Sequence, residues 1–391
     1  MSTTPSFRSV AEARLAAERA LPHSIFDYVE GAAQDELTYA ANEAAFQAVT
    51  FRPRVAIDVG TPNLETTVLG MPVSIPVLLA PCGLIQTMHA DGCLGALRGA
   101  HTAGTIAVLS TFGGISPEAA AKEPGPRWFQ LYATDREAGD ALVQRAKDAN
   151  FDALVVTLDS PTGGNRERDL RNNAASALQL NLRTVARFAP EVARKPAWLV
   201  RNLRNTVTTL RKADTPVASL GIDEESLDPM APKPVSPGGR VSPFSWDDLR
   251  RIREQWKGPM ALKGILTAED AVRAIDLGVE GIIVSNHGGR QLDGAPATMT
   301  VLPEVVEAVA GRGEVLVDGG VRRGGDVLRA MALGARAVLI GRPYVYGLGV
   351  GGQAGVERVL KVFRREMSRD MVLMGCERVT DLDPTWVRRP S

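Results

Sequence analysis

From residue 72 onward the chain alternates short, uninterrupted apolar runs with helical patterns, and that alternation limits the folds open to it. The apolar runs are Pro76–Ala80, Thr105–Ser110, Trp128–Leu131, Ala153–Leu158, Met260–Lys263, Gly281–Ser285, Glu314–Asp318 and Ala337–Ile340. A strand that is apolar throughout has both faces buried, which is the signature of a parallel sheet covered by helices. Helices are expected at Gly92–Ala103, Glu137–Ala149, Ala268–Leu277, Pro303–Ala310 and Gly324–Leu333. Eight such units count to a closed (β/α)8 TIM barrel. A doubly wound open sheet is the alternative, but no G-x-G-x-x-G opens an early βα unit. The 391 residues are read as a single barrel domain, 1–391, with residues 1–70 as an N-terminal helical cap.

The rhythm breaks once, after the fourth strand, in an insertion covering 163–245. Ordinary βα loops have about 2–6 residues, and long ones on this face of a barrel carry function. Within it, Arg183–Lys212 has eight basic residues against one acidic, Glu191, with Trp198, Leu199, Val200, Leu203 and Leu210 interleaved. This fits a helix lying on an anionic membrane surface, or a basic helix packing its apolar stripe on the barrel or a neighbouring subunit. The stretch Asp214–Gly239, rich in Pro, Ser, Gly and acids, reads as a mobile lid or a partly disordered segment.

Composition excludes several classes. With a formal net charge of +0 and a pI near 6.9, no global field attracts nucleic acid. Cys82, Cys93 and Cys376 are too scattered for a disulfide framework or zinc site, and four histidines make no His-rich metal centre. No metal is therefore expected. The N-terminus lacks an apolar signal core, and Ile75–Ile85, the longest apolar stretch, is interrupted by Pro76 and Pro81. The expectation is a cytoplasmic protein, with peripheral contact on the inner face of the membrane if the basic helix binds lipid.

Chemistry concentrates at the strand ends. The run GIIVSNHGGRQLDGAP, Gly281–Pro296, passes from an apolar strand into a polar burst with His287 and Arg290 three residues apart. His moves protons near neutral pH, and Arg presents a planar fork matching a carboxylate. Together they suggest proton removal from a small acid; the plainer reading is a capped strand end with a surface Arg. After the seventh strand comes DGGVRRGGD, with Asp318, Gly319, Gly320 and Arg322, and after the eighth IGRP, with Gly341 and Arg342. Loops after strands seven and eight are where barrels commonly hold phosphate, and glycines there let backbone N–H groups approach an anion. No P-loop is present. A phosphate anchor beside a proton-removing His best fits FMN, and Lys263 at the fifth strand end could hold negative charge on the reduced ring.

Together these residues resemble the FMN-dependent 2-hydroxy acid oxidase and dehydrogenase family, which includes glycolate oxidase, L-lactate dehydrogenase and (S)-mandelate dehydrogenase. SNHGGRQLDGAP is its most specific piece, and PCGL, FQLY, the run Thr157–Asp169, LKGIL, DGGVRRGGD and IGRP follow in the family's order. The resemblance implies a (β/α)8 barrel with FMN. It makes His287 the catalytic base, Asp159 the carboxylate that orients it, Arg166 and Arg290 the clamp on the substrate carboxylate, and Tyr132 and Tyr28 the tyrosines lining the substrate site. Pro81, Cys82, Gly83, Ser110, Gln130, Thr157, Lys263 and Ser285 match ring and ribityl contacts. Asp318, Gly319, Gly320, Arg322, Gly341 and Arg342 match the ribityl and phosphate anchors. The implied activity is oxidation of an L-2-hydroxy acid, lactate- or mandelate-like, to the 2-oxo acid, with a quinone or O2 as electron acceptor. Relatives are often tetramers.

Departures fall in the substrate side-chain pocket: Phe112–Gly114 is unusually rich in glycine, and Ala174 stands where relatives carry Phe. Gly83 lies where relatives have Ala or Gly. Rival readings are a peptide-modifying FMN oxidase of the same superfamily, of the mycofactocin-precursor type, which lacks an Arg at the position of Arg290; an isomerase-type FMN barrel, which lacks the two-arginine clamp; and a non-catalytic flavin-binding scaffold.

Overall fold

The computed structural model describes residues 5–133, 135–172, 189–202 and 244–389. Eight parallel strands close into a barrel: β1 (Val77–Leu79), β2 (Ala107–Ser110), β3 (Arg127–Leu131), β4 (Ala153–Thr157), β5 (Met260–Ile265), β6 (Gly281–Val284), β7 (Glu314–Val317) and β8 (Ala337–Ile340). They are joined in sequence order, and β8 pairs with β1 to complete the ring. The TIM barrel expected from the alternation is the observed architecture.

Period-2 geometry sends alternate side chains to opposite faces of each strand. Leu79, Leu109, Phe129, Leu154, Val156, Leu262, Ile282, Val317 and Ile340 join the layer shared with the surrounding helices. Leu78, Val108, Trp128, Val155, Ala261, Ile283, Leu316 and Leu339 form a second cluster that includes no helical residue, which is the barrel interior. Val68, Leu69 and Val73 of the hairpin Thr66–Val68/Met71–Val73 close that cluster from below, and the Trp128 indole N–H meets Met71 Sδ at 3.2 Å. Followed upward, the inward set changes character. The next inward positions are Ser110, Gln130, Thr157, Lys263, Ser285 and Asp318, all buried. The interior is therefore a hydrocarbon plug capped by a ring of hydrogen-bonding groups.

Two elements differ from the pattern-based expectation. The helix expected from Pro303 runs Thr298–Val309, with Pro303 in its interior. The buried Met299, Val301 and Leu302 fix its first turn despite the lost proline N–H. An unanticipated helix, Arg342–Met374, follows β8 and bends at Gly351–Gly352, where φ/ψ leave the helical region. In the N-terminal region, helices Val10–Ala20, His23–Glu30 and Leu37–Ala48 precede a short strand, Thr50–Phe51, paired with Val387–Arg388.

The break in the rhythm lies between β4 and β5 and contains the helices Glu167–Asn172 and Trp246–Gln255. The described middle, 189–202, packs on the protein body. Glu191 Oε1 accepts from Ser24 N at 2.6 Å, Lys195 Nζ donates to the Arg19 carbonyl at 2.6 Å, and the Trp198 indole donates to the Thr87 carbonyl at 3.0 Å. For this stretch the apolar stripe, through Trp198, serves packing. The rest of Arg183–Lys212, the lid reading of Asp214–Gly239, and Ala174 lie outside the described residues. Among the described residues, no helix is long and apolar enough to cross a membrane.

Leu78 is fully buried in the barrel interior. Leu78→Ala is expected to destabilise the protein by about 2–5 kcal/mol, the usual range for such a truncation. Denaturant unfolding measures it; a loss well under 1 kcal/mol would contradict a close-packed interior.

Candidate active site

The polar ring is hydrogen-bonded around the mouth. Ser110 Oγ donates to Gln130 Oε1 at 2.7 Å, and Gln130 Nε2 donates to Thr157 Oγ1 at 2.8 Å. Thr157 is paired in register with Lys263 on the next strand. Lys263 Nζ donates to Ser285 Oγ at 2.8 Å and lies 3.3 Å from Asp318 Oδ2 and 3.9 Å from Asp159 Oδ2. Burial opposes charge on Lys263, but the two carboxylates outweigh it and raise its proton affinity. It is a buried ammonium ion between two anions.

Gly264 permits this arrangement. It sits at a register shift in β5 with φ +104, and a Cβ there would come within 2.7 Å of Asp159 Cβ. Asp159 Oδ1 meets His287 Nδ1 at 2.9 Å. Although burial alone would push the Asp159 carboxyl up, the His287 and Lys263 charges hold it down at about 2. As an anion it accepts the Nδ1–H and leaves Nε2 as the free basic atom. For His287 the balance runs the other way. Burial and then the Lys263 ammonium lower its proton affinity, and Asp159 only partly restores it. The imidazole is thus neutral near pH 7, with about a quarter of its side chain exposed.

His287 is held in a left-handed backbone conformation, φ +57, followed by Gly288 and Gly289 at +63 and +77. Such a conformation is uncommon for a residue with a Cβ and needs support from its surroundings. Asn286 supplies it. Its Oδ1 accepts from Gly289 N at 3.2 Å, and its amide pairs reciprocally with that of Asn42, at 2.8 and 2.9 Å. Neither asparagine was singled out by motif, because the pair joins residues 244 apart in sequence.

Arg166 and Arg290, expected as a clamp, are brought together. Arg290 Nη1 donates to the Tyr28 and Gly31 carbonyls, each at 2.7 Å, and its guanidinium lies 5.0 Å from the Tyr28 ring centroid. Arg166 Nε reaches the Arg290 carbonyl at 3.4 Å. Gln291 fastens the two loops: it accepts from Gly164 N at 3.1 Å and donates to the Asp159 and Thr162 carbonyls at 3.1 and 3.0 Å. A side chain at Gly164 would fall on the Arg290 carbonyl oxygen. Tyr28 and Tyr132 complete the group. Burial raises both phenols, Tyr132 to about 12, so both keep their protons. The Tyr132 ring meets Phe112 edge-on at 5.0 Å, which puts the Phe112–Gly114 loop at the same mouth. That loop is tied to the one after β1 by Leu84 N to the Phe112 carbonyl, 2.9 Å, and Gly83 faces the Phe112 Cβ.

The expected phosphate anchors converge on Tyr39. Arg322 and Arg342 lie 5.7 and 4.5 Å from its ring centroid. Arg322 Nη2 pairs with Glu43 at 2.9 Å, and Arg342 donates to the carbonyls of Val29, Gly31 and Gly288. Gly319 and Gly320 have φ of +86 and +91. The Gly320 backbone is pressed against the Leu37–Ala48 helix, where a Cβ would come 2.5 Å from the Asn42 carbonyl. This glycine is needed for packing. Gly341 is open, since a Cβ there would meet only Cys82 Sγ, at 3.6 Å.

Comparison with known proteins places this geometry. The profile of the FMN-dependent dehydrogenase family matches residues 17–389. The chain belongs to that family. It is 41% identical to the L-lactate oxidase of Nostoc sp., over 94% of each chain. It is 40% identical to human 2-hydroxyacid oxidase 1, covering 95% of this chain and 94% of that protein. The crystal structure of (S)-mandelate dehydrogenase, described as a monotopic membrane protein, superposes with a TM-score of 0.88 at 34% identity, covering 99% of this chain and all of the other. The chain is therefore an FMN-dependent oxidoreductase of the 2-hydroxy acid oxidase and dehydrogenase class. Its residues fit the cofactor. Asp318 Oδ1 is buried without a hydrogen-bond partner at the mouth, the ring beside it offers donors and acceptors, and Arg322, Arg342 and the bare Gly341 backbone offer positive charge and access.

Asp159→Asn is expected to slow substrate oxidation and to move the acid limb of kcat/KM to lower pH. The sign follows from Asp159 raising the proton affinity of His287, so that its removal lets the imidazole lose its proton at lower pH. A pH profile of both proteins checks this; a limb moving upward would contradict it.

Proposed function

We propose that this protein oxidises an L-2-hydroxy acid, lactate- or mandelate-like, to the 2-oxo acid. The observation that carries this reading is the meeting, at one barrel mouth, of a neutral imidazole backed by a carboxylate with two partly buried guanidinium groups. Arg166 and Arg290 bind the substrate carboxylate and fix its α-carbon, an alignment that can supply about 7–11 kcal/mol in the best cases. Tyr28 and Tyr132, protonated, line the same space and donate hydrogen bonds. His287 takes one proton from the CH–OH group at Nε2. Asp159, ionised, steadies the imidazolium that results, as an acid partner does in other His-based sites. Bound FMN would supply the acceptor for the electron pair and the remaining hydrogen. Ser110, Gln130, Thr157, Lys263, Ser285 and the Pro81–Gly83 backbone would hold its ring and ribityl chain, with Asp318–Arg322, Gly341 and Arg342 at the ribityl and phosphate end. The buried Lys263 ammonium would place positive charge beside that ring.

The test is anaerobic mixing of the FMN-loaded protein with a panel of L-2-hydroxy acids, followed by air. Loss of visible flavin colour with one side-chain class names the substrate, and fast or slow return separates O2 from quinone as acceptor. His287→Ala is expected to remain yellow and folded while its bleaching rate falls by about 10²–10⁴, the usual contribution of a general base. Wild-type bleaching in that variant would remove His287 from the role. A panel that bleaches nothing would favour the non-catalytic scaffold.

The basic surplus of Arg183–Lys212 and the likeness to a monotopic membrane protein support peripheral contact with anionic lipid through this segment. Co-sedimentation with anionic but not zwitterionic vesicles, reversed by salt, is the expected result; no sedimentation with either would leave this segment without a lipid role.

A further inference from the structure

The helix Glu167–Asn172 carries a buried carboxylate to which the mechanism above gives no part. Asp169 is 1% exposed, and neither carboxylate oxygen has a hydrogen-bond partner. Its Oδ2 lies 3.7 Å from Arg166 Nη1 and 3.9 Å from Arg290 Nη2. A buried anion without hydrogen bonds is costly unless charge compensates it. The only cations this close to it, among the described residues, are the two guanidiniums of the clamp. Those guanidiniums disfavour one another, since Arg290 lowers the proton affinity of Arg166. Their tethers are unequal. Arg290 is fixed by two carbonyls at 2.7 Å, whereas Arg166 has one long contact, 3.4 Å, to the Arg290 carbonyl. The helix bearing Asp169 is itself fastened at two places: Asn172 Nδ2 donates to Asp27 Oδ2 of helix His23–Glu30 at 2.6 Å, and Arg168 pairs with Glu36, at the start of helix Leu37–Ala48, at 2.6 Å.

We propose that Asp169 is a positioning residue: a fixed counter-charge that holds Arg166 beside Arg290 so that both guanidiniums face one substrate carboxylate. It acts through Arg166 and does not touch the reacting atoms. With two cations and one anion the clamp keeps a single net positive charge, matched to a monocarboxylate. The inference rests on the clamp reading of the previous subsection.

A double-mutant cycle on the FMN-loaded protein separates the two ideas. Asp169→Asn is expected to raise KM for the 2-hydroxy acid at least tenfold, with a smaller change in kcat. Arg166→Met alone is expected to raise KM by at least as much. In the Arg166→Met background, Asp169→Asn is expected to change KM by less than twofold. An unchanged KM in Arg166→Met overturns the clamp and this proposal with it. A full tenfold effect of Asp169→Asn in both backgrounds, or none in either, overturns the proposal alone. If Asp169→Asn fails to retain FMN, Asp169→Ser takes its place in the cycle. Loss of FMN from both neutral variants but not from Asp169→Glu would make the residue a folding element and overturn the positioning role.

Discussion

Everything at the barrel mouth is organised around one buried cation. Lys263 has given up its water inside a ring of strand ends, and among the described residues Asp159, Asp318 and Ser285 stand in for it. Removing one partner from a buried ionic group typically costs about 3–5 kcal/mol, so these residues are constrained as a set. The constraint spreads outward. Asp159 cannot reach Lys263 unless residue 264 lacks a side chain, and the same carboxylate fixes the ring of His287. The orientation of the His287 ring and the proton affinities of His287 and Lys263 are thus coupled in a single electrostatic cluster.

The outer limit of this cluster is drawn by geometry as much as by charge. The interior is apolar from the Thr66–Val73 hairpin up to Val155, Ile283 and Leu316, then polar one inward step later. A strand interior that turns from hydrocarbon to Ser, Gln, Thr, Lys and Asp at its carboxyl end is stable only if those groups satisfy one another or an occupant. Here they do part of this among themselves. Asp318 Oδ1 and Asp159 Oδ2 are left over, buried without a hydrogen-bond partner.

Much of this was legible in the sequence for a physical reason: strand ends are local. An apolar run followed at once by Ser-Asn-His, Lys-Gly or Asp-Gly-Gly announces both the strand and its polar terminus, so β1 to β8 and the candidates His287, Arg290, Lys263, Asp318, Arg322 and Arg342 follow from short windows, whereas Asp159, Arg166, Tyr28 and Tyr132 come from the family resemblance. What stayed hidden depends on distant partners. Asn286 reads as an ordinary loop residue until Asn42 is seen against it. Asp169 sits three residues from Arg166 in RERD, a spacing that suggests a surface helix pair and not a buried charge shared with Arg290. The start of helix Thr298–Val309 was obscured by Pro303, whose local preference is overridden by buried Met299 and Leu302. The basic segment was ambiguous because composition does not tell which way Trp198 points.

The end of helix His23–Glu30 has a consequence of its own. Its terminal carbonyls, from Tyr28 to Gly31, are taken up by the guanidiniums of Arg290 and Arg342, which follow β6 and β8 and stand 262 and 313 residues from Tyr28 and Val29. A growing polypeptide leaves the ribosome with that helix end open, and no amount of waiting completes it until the sixth and eighth strands have been translated. The same two arginines that finish the helix also stand at the mouth, so this helix end and the segments after β6 and β8 share one set of hydrogen bonds. A displacement of that helix end would therefore disturb the cap and the barrel mouth together.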